Sequence, residues 1–439
     1  MEVDEMTHTV LTFVTKVKPD QAASLGKLLD QMGTNPETNS YIPFRSLKRL
    51  HFGSLVLHQS PDYGPYLVFE NNFDGVLEDY LADLYTQAAN GLHQIYSCCL
   101  DYSVTSATDR QGMLNYLTAH VVRPNAYHVG NTGRTAERIL QERELRTALE
   151  QQADSLVRSG KATAAQSVLT TLQQFVRSEP RFSWVMSPAG PRETFAQKFV
   201  AWAKLIFVVA LLVGLVVGAF FSVLCRDVFY LLAALLVLGL LVLRYKESTD
   251  SVQADAADSD KVTSLLETEN HTASVQNHMA SITIVKPGWL RRSTLWLVLW
   301  AVNLLARARA TEGELSGIPS IHFAHWSMID NGRRLLFLSN FDGSWENYLD
   351  DFIDKASDGL TGVWSNTVNF PRTYFLIFGG ATDGPRFKAV ARDSQTVTNV
   401  WYSAYRELTV QGIDNSSSVR EDLLNPGDAA AAQALLQRL

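Results

Sequence analysis

A stretch of 27 residues occurs twice in this chain, 268 positions apart, and the duplication limits the fold more than any other feature. Residues 66–92 and 334–360 align without a gap, and 13 of the 27 pairs are identical. They include Asn72-Phe73-Asp74-Gly75 against Asn340-Phe341-Asp342-Gly343, and Tyr80-Leu81 against Tyr348-Leu349. Upstream, Leu50-His51-Phe52 answers Ile321-His322-Phe323, and Val17-Lys18-Pro19 answers Val285-Lys286-Pro287. Repeated apolar patterns of this kind mark a unit whose open face is buried by its own copy.

The order of elements in each copy follows from periodicity. A short apolar strand (10–17; 281–286) ends at the proline, which favours a helix start (19–32; 287–310). Two alternating runs come next (50–58 with 66–72; 321–329 with 334–340). Pro61-Asp62-Tyr63-Gly64 and Asp330-Asn331-Gly332 lie between them as hairpin turn signals. A helix with one apolar stripe follows, carried by Leu77, Tyr80, Leu81, Leu84, Ala88 and Leu92 and by Trp345, Tyr348, Leu349, Phe352, Ala356 and Leu360. A last strand is expected near 117–123 and near 386–392. The order βαββαβ is that of the ferredoxin-like unit. The fold class is therefore α+β, with two ferredoxin-like repeats pairing their bare sheet faces into one barrel.

Between the copies lies apolar sequence of a different kind. Residues 205–225 contain no charge, and 21 residues at 1.5 Å rise suffice for a hydrocarbon core of roughly 30 Å. A second uncharged run, 228–243, is 16 residues and short for a full span. Only Arg226 and Asp227 separate the two, which predicts a transmembrane helical hairpin with that pair at its tip. Gly214 and Gly218 would let its two arms approach closely. Lys198, Lys204, Arg244 and Lys246 flank its open end, so the positive-inside rule places both repeats on the cytoplasmic side. A lipid bilayer is then one partner. The helix after Pro287 is apolar nearly all round over 293–306, with Trp296 and Trp300, and suits either an interfacial position or burial beneath the helical arm or in an oligomer interface.

Charge excludes other classes. Net charge is −7 with a pI near 5.8, which argues against nucleic acid as a partner. Cys98, Cys99 and Cys225 have neither disulfide-framework nor zinc-site spacing. The acidic start of the chain carries no apolar core of a secretory signal. Residues 247–278 hold seven acids, one lysine and no aromatic, and read as a solvated linker in which His271 and His278 are exposed. The expected division is a first repeat (1–133), a helical arm (134–195), the hairpin (196–246), the acidic linker (247–278), a second repeat (279–424) and a tail (425–439).

The chemistry-bearing candidates are the residues kept in both copies. Asp74 and Asp342 stand where a strand turns into a helix. A carboxylate there can cap the helix's free N–H groups, or face the space between the sheets as a proton-transfer group. His51 and His322 share one repeat position. Strict alternation puts His322 on one strand face and His325 on the other.

A pair of such units in one chain resembles the dimeric α+β barrel proteins, and at the motif level the dye-decolorising peroxidases, whose haem-pocket aspartate lies in Gly-x-x-Asp-Gly. The Asp-Gly of that motif stands here at Asp74-Gly75 and Asp342-Gly343. The resemblance implies a haem cofactor. On it, Asp74 and Asp342 would be catalytic. The repeat and strand positions make His51 and His322 further catalytic candidates, make His322 or His325 a candidate haem ligand or general base, and place Arg123 and Arg392 where they could meet an acidic group of a ligand. The function implied is a membrane-anchored oxidoreductase of peroxidase or monooxygenase type acting on a hydrophobic small molecule. The alternative is a non-catalytic membrane protein that binds a ligand or assembles as a homo-oligomeric scaffold. Symmetric retention of Asn-Phe-Asp-Gly favours that second reading.

Overall fold

The computed structural model describes residues 8–60, 62–160, 164–186, 195–221, 223–252, 257–270, 274–309, 317–425, 427 and 429–439. His271 lies outside them. The first half comprises β1 (His8–Lys16), α1 (Ala22–Gly33), β2 (Leu50–Ser60), β3 (Tyr63–Asp74), α2 (Leu77–Ser97), α3 (Arg110–Ala119), β4 (Val121–Val122) and β5 (Ala126–Val129). Next come α4 (Ala136–Arg158), α5 (Ala165–Ser178), the long helices α6 (Phe195–Phe221) and α7 (Val223–Thr249), and α8 (Ser259–Asn270). The second half holds β6 (Gln276–Ile284), α9 (Trp289–Arg309), β7 (Ile321–Ile329), β8 (Arg334–Asp342), α10 (Trp345–Trp364), β9 (Thr373–Tyr374), β10 (Phe378–Gly379), α11 (Gly384–Ser394), β11 (Gln395–Thr396) and β12 (Val400–Ser403). Helices α12 (Val410–Leu424) and α13 (Ala429–Arg438) close the chain.

These elements form an α+β fold with two antiparallel five-stranded sheets, ordered β12-β2-β3-β1-β4 and β11-β6-β8-β7-β5. The expected single barrel does not close, because the sheets remain separate and meet face to face. Each accepts one strand from the other half of the chain: β5 pairs with β7, and β12 pairs with β2. Two asparagines fix this exchange symmetrically. Asn125 Oδ1 accepts the Met328 N–H (2.8 Å), and Asn399 Oδ1 accepts the Leu57 N–H (2.9 Å). The expected last strand near 386–392 is instead helix α11, with only Gln395–Thr396 adding a short edge. In the first half the corresponding stretch ends α3 and leaves two strand residues.

The outward faces carry the helices. Leu25, Leu29, Tyr80 and Leu84 pack on Phe13, Leu55 and Phe69 of the first sheet. Leu295, Leu299, Tyr348 and Phe352 do the same on Leu335 and Phe337 of the second. Between the sheets lies a thinner layer in which Val56 and Val68 meet Ala280, Ile282, Leu336 and Leu338. Helices α4, α5, α12 and α13 make a separate cluster around Leu145, Leu172 and Leu423.

Over Arg226–Thr249, α7 is long and apolar enough to cross a membrane; its most apolar 18 residues have a mean hydropathy of 2.3 and only 6% of them are buried. The sequence marks this arm as the short one, yet its helix continues past Leu243 through six further residues to Thr249. In α6 the apolar stretch within the described residues is the shorter Trp202–Gly218. The acidic segment after it is not a free linker. Glu247 is buried, Asp250 lies 2.7 Å from both Lys286 Nζ and the Arg291 guanidinium, and Leu265 of α8 is buried. Glu247 and Asp250 bolt the base of α7 to the second half.

The exchange yields a direct prediction. Asn125→Ala or Asn399→Ala removes the partner of a half-buried strand amide and should cost roughly 0.5–1.5 kcal/mol each, read as similar drops in thermal midpoint. A loss confined to one of them would contradict the symmetric role.

Candidate functional site

His51 and His322 reach the space between the sheets because each strand carries an irregularity at that residue. The pairing of β2 with β3 shifts register between Leu50 and Phe52, and that of β7 with β8 shifts between Ile321 and Phe323. A bulge sets two successive side chains on one face. Leu50 and Ile321 therefore point to the helices, while His51 with Phe52 and His322 with Phe323 point inward. His322 and His325 consequently share the inter-sheet side, where strict alternation separates them.

In the first half, Asp74 Oδ1 lies 2.8 Å from His51 Nε2 and 3.1 Å from His8 Nδ1, and Oδ2 accepts the Ala136 N–H (2.8 Å). The same plan recurs in the second half. Asp342 Oδ1 lies 2.8 Å from His322 Nε2, Oδ2 accepts the Val410 N–H (2.8 Å), and Gln276 stands where the first copy has His8, 3.1 Å from His322. The aspartates thus do not cap the helices that directly follow them. Val76 begins α2 without a side-chain cap, and Ser344 caps α10. They cap α4 and α12, the helices that leave the exchanged strands, beside the capping hydroxyls of Thr135 and Thr409. Gly75 and Gly343 turn the chain at φ 89° and 80°, a region costly for other residues.

Proton positions follow from the bonds. His8 Nε2 accepts the Gly133 N–H (2.9 Å), so its proton sits on Nδ1 facing Asp74. His51 Nδ1 lies 2.8 Å from the Tyr405 hydroxyl, whose pKa burial raises well above the usual value, so the phenol donates and His51 turns its Nε2–H to Asp74. Burial pushes the Asp74 carboxyl up, but His51 and His8 pull it further down, and it stays ionised. Burial lowers the His8 pKa despite Asp74.

His8, His51 and Asp74 are close enough that a metal could draw one ligand atom from each. The atoms facing that point are the protonated nitrogens, however, and a metal on His8 Nδ1 would move that proton to Nε2 and break the bond from the Gly133 N–H. The set fits a hydrogen-bonded clasp, and does not fit a metal ion. Haem fits no better. His51 and His322 sit 5.4 Å from the Phe323 ring and 5.1 Å from the Phe52 ring, with Tyr405 against both histidines, so aromatic rings fill the space a macrocycle would need. Arg392 is elsewhere: on α11 it binds Glu269 and Glu346 and lies 3.6 Å above the Trp345 ring, behind the second sheet.

A second cluster breaks the repeat symmetry. Glu70 is completely buried between the sheets and accepts from Ser54, Asn72, Asn340 and His278 at 2.9–3.0 Å. Its counterpart in the second copy is Leu338. Removing a carboxylate from water costs several kcal/mol, while a hydrogen bond to a charged group contributes about 1.5–3 kcal/mol, so four donors suffice to keep it ionised. Burial pushes its pKa up, but His278, His325 and the bonds from His278 and Asn72 outweigh this and hold it down at about 2. His325 is fully buried and its pKa falls to about 4, with burial the leading cause; its Nε2 lies 3.0 Å from Thr12 Oγ1. His278 is thus an inward residue of β6, not a solvated linker histidine. Glu70 was detectable in the sequence as the one charge in an apolar run, and Tyr405 and Gln276 had no such signal.

A cleft of about 410 Å³ opens at the opposite end of β1 and β3 from Asp74, lined by Val14, Lys16, Leu100, His120, Met328 and Ile329 among others. It contains none of the expected site residues. No family model matches the chain, and no curated protein matches it.

The buried ionisable groups fix an acid profile. His325 is neutral when folded, so stability falls as pH drops from 6.5 through about 4, the range in which the unfolded state alone takes up its proton. His58, lowered to about 4 by burial, adds to that window. Glu70 stabilises above 4.5, and its share is lost as pH falls from there to about 2. Thermal midpoints of the detergent-solubilised chain should decline across both windows, and His325→Gln should flatten the upper one in part and narrow the lower one, because His325 is among the groups that hold Glu70 down. An unchanged upper slope would contradict the burial of His325.

Proposed function

We propose that this protein is a non-catalytic, membrane-anchored scaffold whose two ferredoxin-like halves stand on one face of a bilayer. The observation that carries this is the engagement of both oxygens of Asp74 and of Asp342. In each copy one oxygen is taken by the repeat's own histidine and the other by the N-terminus of the helix after the exchanged strand. A proton-transfer group needs a face open to a reactant, and these carboxylates are committed to holding elements together. The sheet orders β4-β1-β3-β2 and β11-β6-β8-β7 agree with the ferredoxin-like reading, each extended by the exchanged strand.

The apolar length of α7 supports anchoring, and Lys204, Arg244 and Lys246 near the open end of the α6–α7 pair support a cytoplasmic position for both halves. Helix α9 packs on α6 and leaves Trp289, Trp296, Leu297 and Trp300 exposed, which suits a helix lying in the headgroup region. A ligand-binding role has one observation in its favour, the mixed cleft beside Lys16 and His120, whose apolar walls would suit a hydrophobic small molecule.

The test is a spectrum together with a stability series. Protein purified in mild detergent should show no Soret band before or after haem addition. Asp74→Asn and Asp342→Asn should lower the thermal midpoint without removing the chain from carbonate-washed membranes. A Soret band lost in His322→Ala or His325→Ala would overturn the scaffold reading in favour of an oxidoreductase.

A further inference from the structure

The segment that joins α10 to α11 differs between the two copies in a way the fold does not require. In the first copy the stretch after α2 contains the largely polar Tyr102-Ser103-Val104-Thr105-Ser106, followed by Ala107-Thr108-Asp109. In the second, Tyr374-Phe375-Leu376-Ile377-Phe378 stands before the matching Ala381-Thr382-Asp383. The inserted residues form the β9–β10 hairpin, in which Phe378 pairs with Tyr374 and Gly379 with Thr373. Phe375 and Leu376 at its tip hold φ of 55° and 63°, the left-handed region that hairpin turns usually fill with Asn or Gly. Bulky apolar residues are therefore kept where they are conformationally unfavourable, and backbone strain of this kind collects at functional positions.

The surroundings indicate what the tip meets. Tyr374 is 50% exposed and Phe378 65%, with Phe375 and Ile377 between these values or near them. Glu247, in the last turns of α7, fixes the turn. Its Oε1 accepts from the Thr373 hydroxyl (2.7 Å) and the Leu376 N–H (2.8 Å), and its Oε2 accepts the Phe375 N–H (2.9 Å). Arg244, one helical turn earlier, lies 4.6 Å above the Tyr374 ring. The aromatic tip is thus attached to the end of α7, the one helix among the described residues that is long and apolar enough to cross a membrane.

We infer that the 374–378 hairpin is a membrane-insertion element that buries Phe375, Ile377 and Phe378 in the interfacial region of the bilayer next to α7. Aromatic side chains favour that depth, and a second contact beside the helical pair would fix the tilt of the second half against the membrane. This rests on the anchoring reading above. The full chain with benzoylphenylalanine in place of Phe378 is reconstituted into phosphatidylcholine–phosphatidylglycerol vesicles, floated to establish anchoring, and irradiated. A matching label at Val157, an exposed residue of α4, is the control. The expected result is a lipid adduct at 378 and none at 157, with the 378 adduct reduced severalfold by Glu247→Gln while flotation is unchanged. A floating chain that cross-links at 378 to a second copy, or not at all, overturns the insertion element and leaves anchoring intact. A chain that does not float overturns the anchoring reading and the inference with it.

Discussion

One carboxylate in each half of the molecule holds distant parts of the chain together. Asp74 joins the bulged strand that carries His51, the first strand through His8, and the N-terminus of α4; Asp342 joins the strand that carries His322 and the N-terminus of α12. Each helix so capped follows a strand lent to the opposite sheet. The charge is buried, and a buried carboxylate without partners costs several kcal/mol, so the exchanged strand, the bulge and the helix start must all be in place before the aspartate is satisfied. Interlocked halves, rather than two independent domains, follow from that dependence.

The duplication also serves as an internal control. Whatever the two copies share is what the fold needs: the Asp–His pair, the Gly after it with positive φ, the Thr cap and the asparagine that fastens the lent strand. Whatever only one copy carries is available for a specific role. Glu70 with His278 and His325 occurs once, opposite Leu338 in the repeat, and so does the aromatic hairpin held by Glu247. The two features proposed to meet the membrane, α9 and that hairpin, both belong to the second half, which is the half that Glu247 and Asp250 fasten to α7.

Much of this architecture could be read from residues alone. The repeat, the order of its first five elements and the apolar pair between the copies are local patterns, and local patterns survive in sequence. What could not be read depends on long-range geometry. Alternation fails at His322 because a bulge is a pairing property, invisible until β8 is alongside. The helix capped by Asp74 begins 62 positions away, so its spacing carries no motif. The acids after α7 look solvated by composition, yet Glu247 and Asp250 are consumed by partners more than 35 residues further on. Arg392 reads as a strand residue near a site only when α11 is mistaken for a strand.

The account stands or falls on the aspartates acting as fasteners of the lent strands, and hydrogen–deuterium exchange on the full chain in detergent addresses that directly. Asp74→Ala should speed exchange at β5 and the first turn of α4 severalfold while leaving β12 and α12 near their original rates, and Asp342→Ala should do the reverse. Uniform or unchanged protection in both variants would show that the carboxylates do not hold those elements, and would return Asp74 and Asp342 to the list of groups free for chemistry.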